Sequence, residues 1–250
     1  MQEKQTITSR QAKILAAIVK ENCENCRPVA SSDLASKYDL SVSSATIRNE
    51  MAELEKLEYI TQPHTSAGRV PTDKGFRYFV NQLMHKVRLT LKEQEVLKRE
   101  LLKLKVAHAE IGRRLAKVLS DYSHQAAFSV FPEEVSTVGI SNLLNNSALS
   151  GEDAREIAKF FDDIDEYAEK MITDYASHEA EAFIGKELAL SKTSDYSMIV
   201  SGVELPSGKK GVIGLIGPKS MKYEKHLGLM KYISKLLGGS SIILITTLLR

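Results

Sequence analysis

The chain has 250 residues, enough for one large or two modest domains with real hydrophobic cores, so a single small module is excluded. Hydrophobic residues at 43% and charged residues at 26% are ordinary for a globular protein, and no apolar run approaches the ~20 residues that span a bilayer. The net charge of +2 divides into +1 over 1–80, +6 over 81–117, −11 over 118–190 and +6 over 191–250, which excludes a nonspecific nucleic-acid coat and leaves any DNA contact to local geometry.

Two cysteines and no export signal in MQEKQTITSRQ predict a cytoplasmic protein without a disulfide framework. Thr8-Ser9-Arg10-Gln11 is a capping-box arrangement preceded by Ile7, and Ile14, Leu15, Ile18 and Val19 follow at helical spacing. They predict a first helix ending near Asn22. A turn through Arg27-Pro28 leads to a short second helix capped by Ser31 or Ser32. A third helix is expected from Ser43 or Ser44, burying Ile47, Met51 and Leu54 as an i, i+4, i+7 stripe.

Glu58 to Gln62 reads as a strand, Pro63 to Gly68 as a tight loop, and Arg69-Val70-Pro71 as a return strand. Thr72 is positioned to cap a fourth helix carrying Phe76, Phe79 and Leu83. Three helices followed by a hairpin is the order of a winged helix-turn-helix, expected over residues 1–85. From 86 to 120 a long helical connector is predicted, in which Leu97, Leu101, Leu104, His108, Ile111, Leu115 and Val118 repeat at heptad spacing. That stripe reads either as a coiled-coil dimerisation seam or as one long helix packed on its own domain.

Residues 121–250 alternate helical and strand-like stretches. Helices are expected after Ser150-Gly151 and on to about Tyr175, strands at Ala182–Ile184, Ser197–Val203 and Gly211–Ile216, and a helix from Met221 to Leu237. The apolar tail Ile242–Leu249 reads as a last strand. The whole is of the α+β class, with a small antiparallel sheet in the second domain.

The third helix carries the chemistry. Ala45, Thr46, Arg48, Asn49 and Ala52 point away from its buried stripe. In a major groove Arg can bind guanine, Asn can bind adenine, and Ala or a Thr methyl can touch the thymine methyl. Small Ser43, Ser44 and Ala45 let the helix end approach phosphate. The same face also fits an ordinary solvated helix. The loop His64-Thr65-Ser66-Ala67-Gly68-Arg69 has no acidic residue and ends in a guanidinium suited to phosphate or a minor groove. Lys74 and Arg77 are candidates for further phosphate contacts.

The stretches Pro28-Val29, Leu40 to Glu55 and Gln62 to Tyr78 closely resemble the N-terminal domain of the HrcA repressors. Ile184-Gly185-Lys186-Glu187 and Gly211 to Pro218, with Met221 and Tyr223, resemble that family's GAF-like C-terminal domain. The resemblance implies repression of chaperone genes of groE and dnaK type by a homodimer. It also implies an inverted-repeat CIRCE operator in double-stranded DNA, and assistance from the GroEL chaperonin. No cofactor is expected, and without a bilayer-length apolar run no membrane partner. Three departures stand out, one being Lys219-Ser220 and Lys222 in place of the usual residues after Gly-Pro. Phe131-Pro132 leads almost directly to Val138-Gly139-Ile140, so most of the family's inserted dimerisation segment is missing, and Glu58 stands where the family commonly has glycine.

An enzyme would need a catalytic constellation. Gly211, Gly214 and Gly217 before Lys219-Ser220 match neither the Walker nor the dinucleotide pattern. Cys23-x-x-Cys26 has no second ligand pair at metal spacing, and Asp162-Asp163 sits on a predicted solvated helix face. The alternative to the chaperonin-linked repressor is a one-component regulator whose GAF-like domain senses a small molecule.

Overall fold

The computed structural model describes residues 7–65, 67–84, 89–104, 111–144, 151–188, 195–205 and 207–238. Ser66, His108 and the tail Ile242–Leu249 lie outside the described residues, and of Leu104 only its place at a helix end is described. The chain divides into two units, Met1–His85 with Lys219–Lys222, and Lys86–Pro218 with Tyr223–Arg250.

In the first unit, α1 (Ser9–Asn25) starts with the anticipated capping box. Thr8 Oγ1 accepts from the Gln11 N–H at 3.2 Å, and the Thr8 N–H donates to Gln11 Oε1 at 2.9 Å. Its apolar stripe places Ile14, Leu15, Ile18 and Val19 in the core. The helix runs three residues past Asn22 and is closed at Cys26, whose N–H donates to the Asn22 carbonyl at 2.9 Å and whose left-handed φ of 51° turns the following chain off the helix axis. Helices α2 (Ser31–Lys37) and α3 (Ser44–Lys56) follow. A hairpin of β1 (Ile60–Thr61) and β2 (Val70–Pro71) is shorter than the strands predicted, and a single antiparallel bridge between Val29 and Arg69 extends it. Thr72 then accepts from the Gly75 N–H at 3.1 Å and opens α4 (Asp73–Tyr78), which continues as a π-helical turn over Phe79–Leu83.

The second unit opens with α5 (Leu91–Leu104) and α6 (Ile111–Ser123). The two pack against each other. In one straight rod residues 104 and 111 would already stand ~10 Å apart at the 1.5 Å rise of a helix, so the single connector expected over 86–120 is corrected to a pair of helices. The reason lies in the seam itself. Leu97, Leu101 and Leu115 are buried within the chain, while Ile111 and Val118 are only partly so. Those three leucines are covered by the protein's own core.

Next come β3 (Ala126–Phe131), β4 (Glu134–Val138), α7 (Ile140–Leu144), α8 (Gly151–Asp162) and α9 (Ile164–Tyr175). They are followed by β5 (Glu181–Ile184), β6 (Tyr196–Glu204), β7 (Lys210–Pro218) and α10 (Tyr223–Gly238). The strands form one antiparallel sheet in the order β4-β3-β7-β6-β5. Strands β3 and β4 were not anticipated. All six residues of β3 are buried, so its sequence Ala-Ala-Phe-Ser-Val-Phe lacks the in-out alternation by which a half-buried strand is recognised. Where the family's insertion is expected, Pro132-Glu133 forms a tight turn between these strands, with Glu133 at φ 69°.

One face of the sheet, through Phe128, Val130, Met198, Val200 and Ile216, packs with Ile157, Phe160, Phe161 and Met171 of α8 and α9. The other is covered by α6 and α10. There Ser197 Oγ bonds Tyr223 Oη at 2.8 Å, and Ser201 Oγ bonds Ser234 Oγ at 2.8 Å. The glycines of β7 serve the sheet. Gly214 lies opposite Phe128, whose ring would come within 2.0 Å of an added Cβ. The motif Ile184 to Glu187 closes β5 with a 3-10 turn in which Glu187 accepts from the Ile184 N–H at 2.8 Å. Among the described residues no helix is long and apolar enough to cross a membrane.

Candidate nucleic-acid interface

Helix α3 is built to present one end. Ser43 supplies its N-cap, accepting from the Thr46 N–H at 3.2 Å, with the two side-chain oxygens 3.0 Å apart. A cap of this kind contributes about 1 kcal/mol and fixes where the helix starts. Ser44 Oγ lies 3.2 Å from Ser31 Oγ at the start of α2, which ties the two helices together at their N-terminal ends. On the inner side Ile47, Met51 and Leu54 are buried. On the outer side Ala45, Arg48 and Asn49 are exposed, and Thr46 and Ala52 partly so. The face expected to read bases is therefore open.

The angle between α1 and α2 is held by a buried carboxylate. Glu21 accepts from Lys37 Nζ at 2.6 Å, from Asn25 Nδ2 at 3.1 Å and from Tyr38 Oη at 3.3 Å. Burial first, and then the Glu21 carboxylate, push the Tyr38 phenol up to about 12. Across the unit, Arg10 reaches Glu50 of α3 at 3.3 Å.

The end of α3 sets the path into the wing. The Tyr59 N–H donates to the Leu54 carbonyl and the Glu58 N–H to the Glu55 carbonyl, each at 2.9 Å, with Glu58 at φ 61°. This is a Schellman closure with Glu58 in the left-handed position, which accounts for the glycine common there in the family. Thr72 Oγ1 adds a bond to the Glu58 carbonyl at 2.6 Å.

In the wing, His64 and Thr65 are exposed. Gln62, which sequence reasoning left out of the site, donates through Nε2 to the carbonyls of Thr65 and Ala67, both at 2.9 Å, and so holds the loop in shape. Gly68 lies against Val29 so closely that a Cβ would meet its backbone at 2.4 Å. Among the cations proposed from sequence, Arg69 and Lys74 have intramolecular work of known geometry. Arg69 Nε donates to Glu55 Oε2 at 2.9 Å, and Lys74 Nζ donates to the Leu57 carbonyl at 2.7 Å while standing 4.7 Å from the Tyr59 ring centroid. Lys74 thus satisfies a carbonyl at the end of α3, where a cation also suits the helix dipole. Arg77 is partly buried, and Arg48 stays exposed. Glu55 had no local signal, because its partner lies fourteen residues on across the hairpin, whereas Gln62 bonds within its own loop and was overlooked because an amide reaching nearby carbonyls has no fixed sequence signature. Among the described residues no group of three His, Cys, Asp or Glu is arranged to hold a metal.

A helix-turn-helix whose second helix turns an open polar face outward, beside a braced β-hairpin, defines a winged-helix DNA-binding protein. The chain belongs to the HrcA family. Residues 6–85 match its winged helix-turn-helix transcription repressor DNA-binding domain, and residues 72–227 its C-terminal domain. That family is one of transcription repressors, not of enzymes. The chain is 42% identical over 127 residues to the heat-inducible transcription repressor HrcA of Carboxydothermus hydrogenoformans, covering 51% of this chain and 37% of that one. It is 41% identical over 128 residues to the repressor of the same name from Pelotomaculum thermopropionicum, covering 51% and 36%. The match therefore spans little more than a third of these relatives' length. A crystal structure of a hypothetical protein aligns with a TM-score of 0.69 at 20% identity, over 93% of this chain and 96% of that one, and shows the fold.

Proposed function

We propose that the chain represses heat-shock chaperone genes from the cytoplasm by holding an inverted-repeat, CIRCE-like operator as a homodimer, with the GroEL chaperonin modulating the active state. The observation that carries this reading is the open Ala45, Arg48 and Asn49 face on the capped end of α3. In the major groove Arg48 takes guanine and Asn49 adenine, while Ser43, Ser44, Ala45 and Thr46 bring the helix end against phosphate. His64, Thr65, Ser66 and Gly68 place the wing along the backbone, with Lys74 and Arg77 behind it.

A second copy can be met through Ile111 and Val118, which keep open surface among the described seam residues, since Leu97, Leu101 and Leu115 are enclosed by their own chain. Val118→Glu is then expected to give monomers by light scattering, and an unchanged dimer moves the contact elsewhere.

Selection of bound fragments from random duplex DNA tests the central reading. Recovery of an inverted repeat with half-sites separated by whole turns of about 10–10.5 bp supports it. Indifference to duplex DNA at low ionic strength defeats it. Addition of chaperonin to the selected complex tests the modulation, which requires tighter or more durable occupancy.

The small-molecule alternative also has an observation in its favour. The second unit contains a cleft of about 590 Å³ lined by His178, Ser201, Lys210, Lys231, Ser234 and Lys235 among others, a size that suits a metabolite. Operator release by a small molecule without chaperonin would favour it.

A further inference from the structure

Arg69 is held from three sides. Its backbone makes both bonds of the antiparallel bridge to Val29, N–H to carbonyl at 2.8 Å in each direction. Its neighbour Gly68 lies flush on the Val29 backbone. Its guanidinium is bonded to Glu55 at 2.9 Å, with the two side chains 21% and 33% exposed. Glu55 stands two turns beyond Arg48 and one beyond Ala52, so the three line one side of α3 at i, i+4 and i+7. A bare carboxylate at that point would repel phosphate, and the two-residue strand pair and the Val29 bridge leave the Glu55–Arg69 bond as a direct side-chain tie from the wing's return strand to α3.

We infer that Glu55 and Arg69 are a positioning pair that locks the β-wing to the recognition helix, and that Arg69 serves operator binding through Glu55 rather than by contacting DNA. This deepens the operator-binding reading and rests on it. The pair fixes the distance between the two elements that must engage the duplex together, and it neutralises the one acid on that line of the helix. Both effects make the cation and the carboxylate act as a unit, whereas a phosphate-binding arginine would act alone and would be helped by removal of its competitor.

The experiment is a double-mutant cycle in the full-length protein, with Glu55→Gln, Arg69→Ala and the double variant. Binding to the selected operator duplex and to an unrelated duplex is measured across a salt series. Expected are losses of roughly tenfold for each single variant, a double variant no weaker than the worse single, and an unchanged salt slope. Tighter binding by Glu55→Gln, or a salt slope reduced by about one in Arg69→Ala, would make Arg69 a phosphate ligand and overturn the inference.

Amide hydrogen exchange without DNA supplies the second readout. Glu55→Gln should speed exchange at the Val29 and Arg69 amides while leaving the α1 core protected, which also shows that the variant folds. Unchanged exchange at those two amides refutes the lock. If the parent protein binds no duplex at all, the operator reading fails, and the exchange result still decides whether the pair braces the wing.

Discussion

Replacing Glu58 by glycine should stabilise the N-terminal unit. Glu58 is held at φ 61° by the closure of α3, in which its own N–H reaches the Glu55 carbonyl and the next N–H reaches Leu54, each at 2.9 Å. Tyr59 and Leu54 are both buried, so the chain cannot relax that turn without opening the core. An L-residue pays about 1–2 kcal/mol for the left-handed conformation. Glycine removes that cost but loses about 0.5–1 kcal/mol through the greater freedom of its unfolded chain. The difference spans about 0–1.5 kcal/mol, centred on a gain of about 0.5–1 kcal/mol, since the exposed Glu58 side chain contributes no burial. For a domain of this size that is a rise of about 2–8 °C in the unfolding temperature of the N-terminal unit. Calorimetry of the full chain, with Glu58→Ala as control, separates the backbone term from the loss of a charge. Alanine keeps the Cβ and should gain nothing. If alanine stabilises as much as glycine, the argument from φ is wrong.

Arg48→Ala should cost roughly 1–3 kcal/mol in operator affinity and relax specificity at one base pair, read by binding to single-substitution duplexes. A loss equal on all sequences would reassign Arg48 to phosphate. Gly68→Ala would drive a Cβ to within 2.4 Å of the Val29 backbone, so the wing must shift. Operator binding should fall while the helical circular dichroism of α1 to α3 is retained, and full binding would show that the wing position is unimportant. Tyr38 makes the unit alkali-sensitive. Because its folded value is raised from 10.0 to about 12, its stabilising contribution is complete below pH 10 and is lost as the pH climbs through 12. Phenolate absorbance should show this late titration, and Glu21→Gln should lower it only in part, since burial is the larger cause. A full return to the ordinary value would put the carboxylate first.

What the sequence determined by itself was whatever is settled within a turn or two of the chain. The caps at Thr8 and Thr72 and the buried stripe Ile47, Met51 and Leu54 are written in residues three to seven apart, and the structure holds them as read. It takes Ser43 of the two serines offered for α3, and it corrects the cap expected at Ser31 or Ser32, since α2 starts after Ala30 with no side-chain cap. The open face of α3 followed from that stripe by elimination.

Tertiary structure decided everything that depends on a distant partner. A cation looks the same in sequence whether it meets phosphate or a carboxylate. Only the fold brings Arg69 to Glu55, fourteen residues away, and Lys74 to the Leu57 carbonyl. A heptad stripe likewise states that one face of a helix is apolar, not what covers it. The folding of α5 and α6 onto their own unit spent Leu97, Leu101 and Leu115 inside it. Strand β3 stayed hidden for the same reason, since a strand buried on both faces loses the alternation that would announce it.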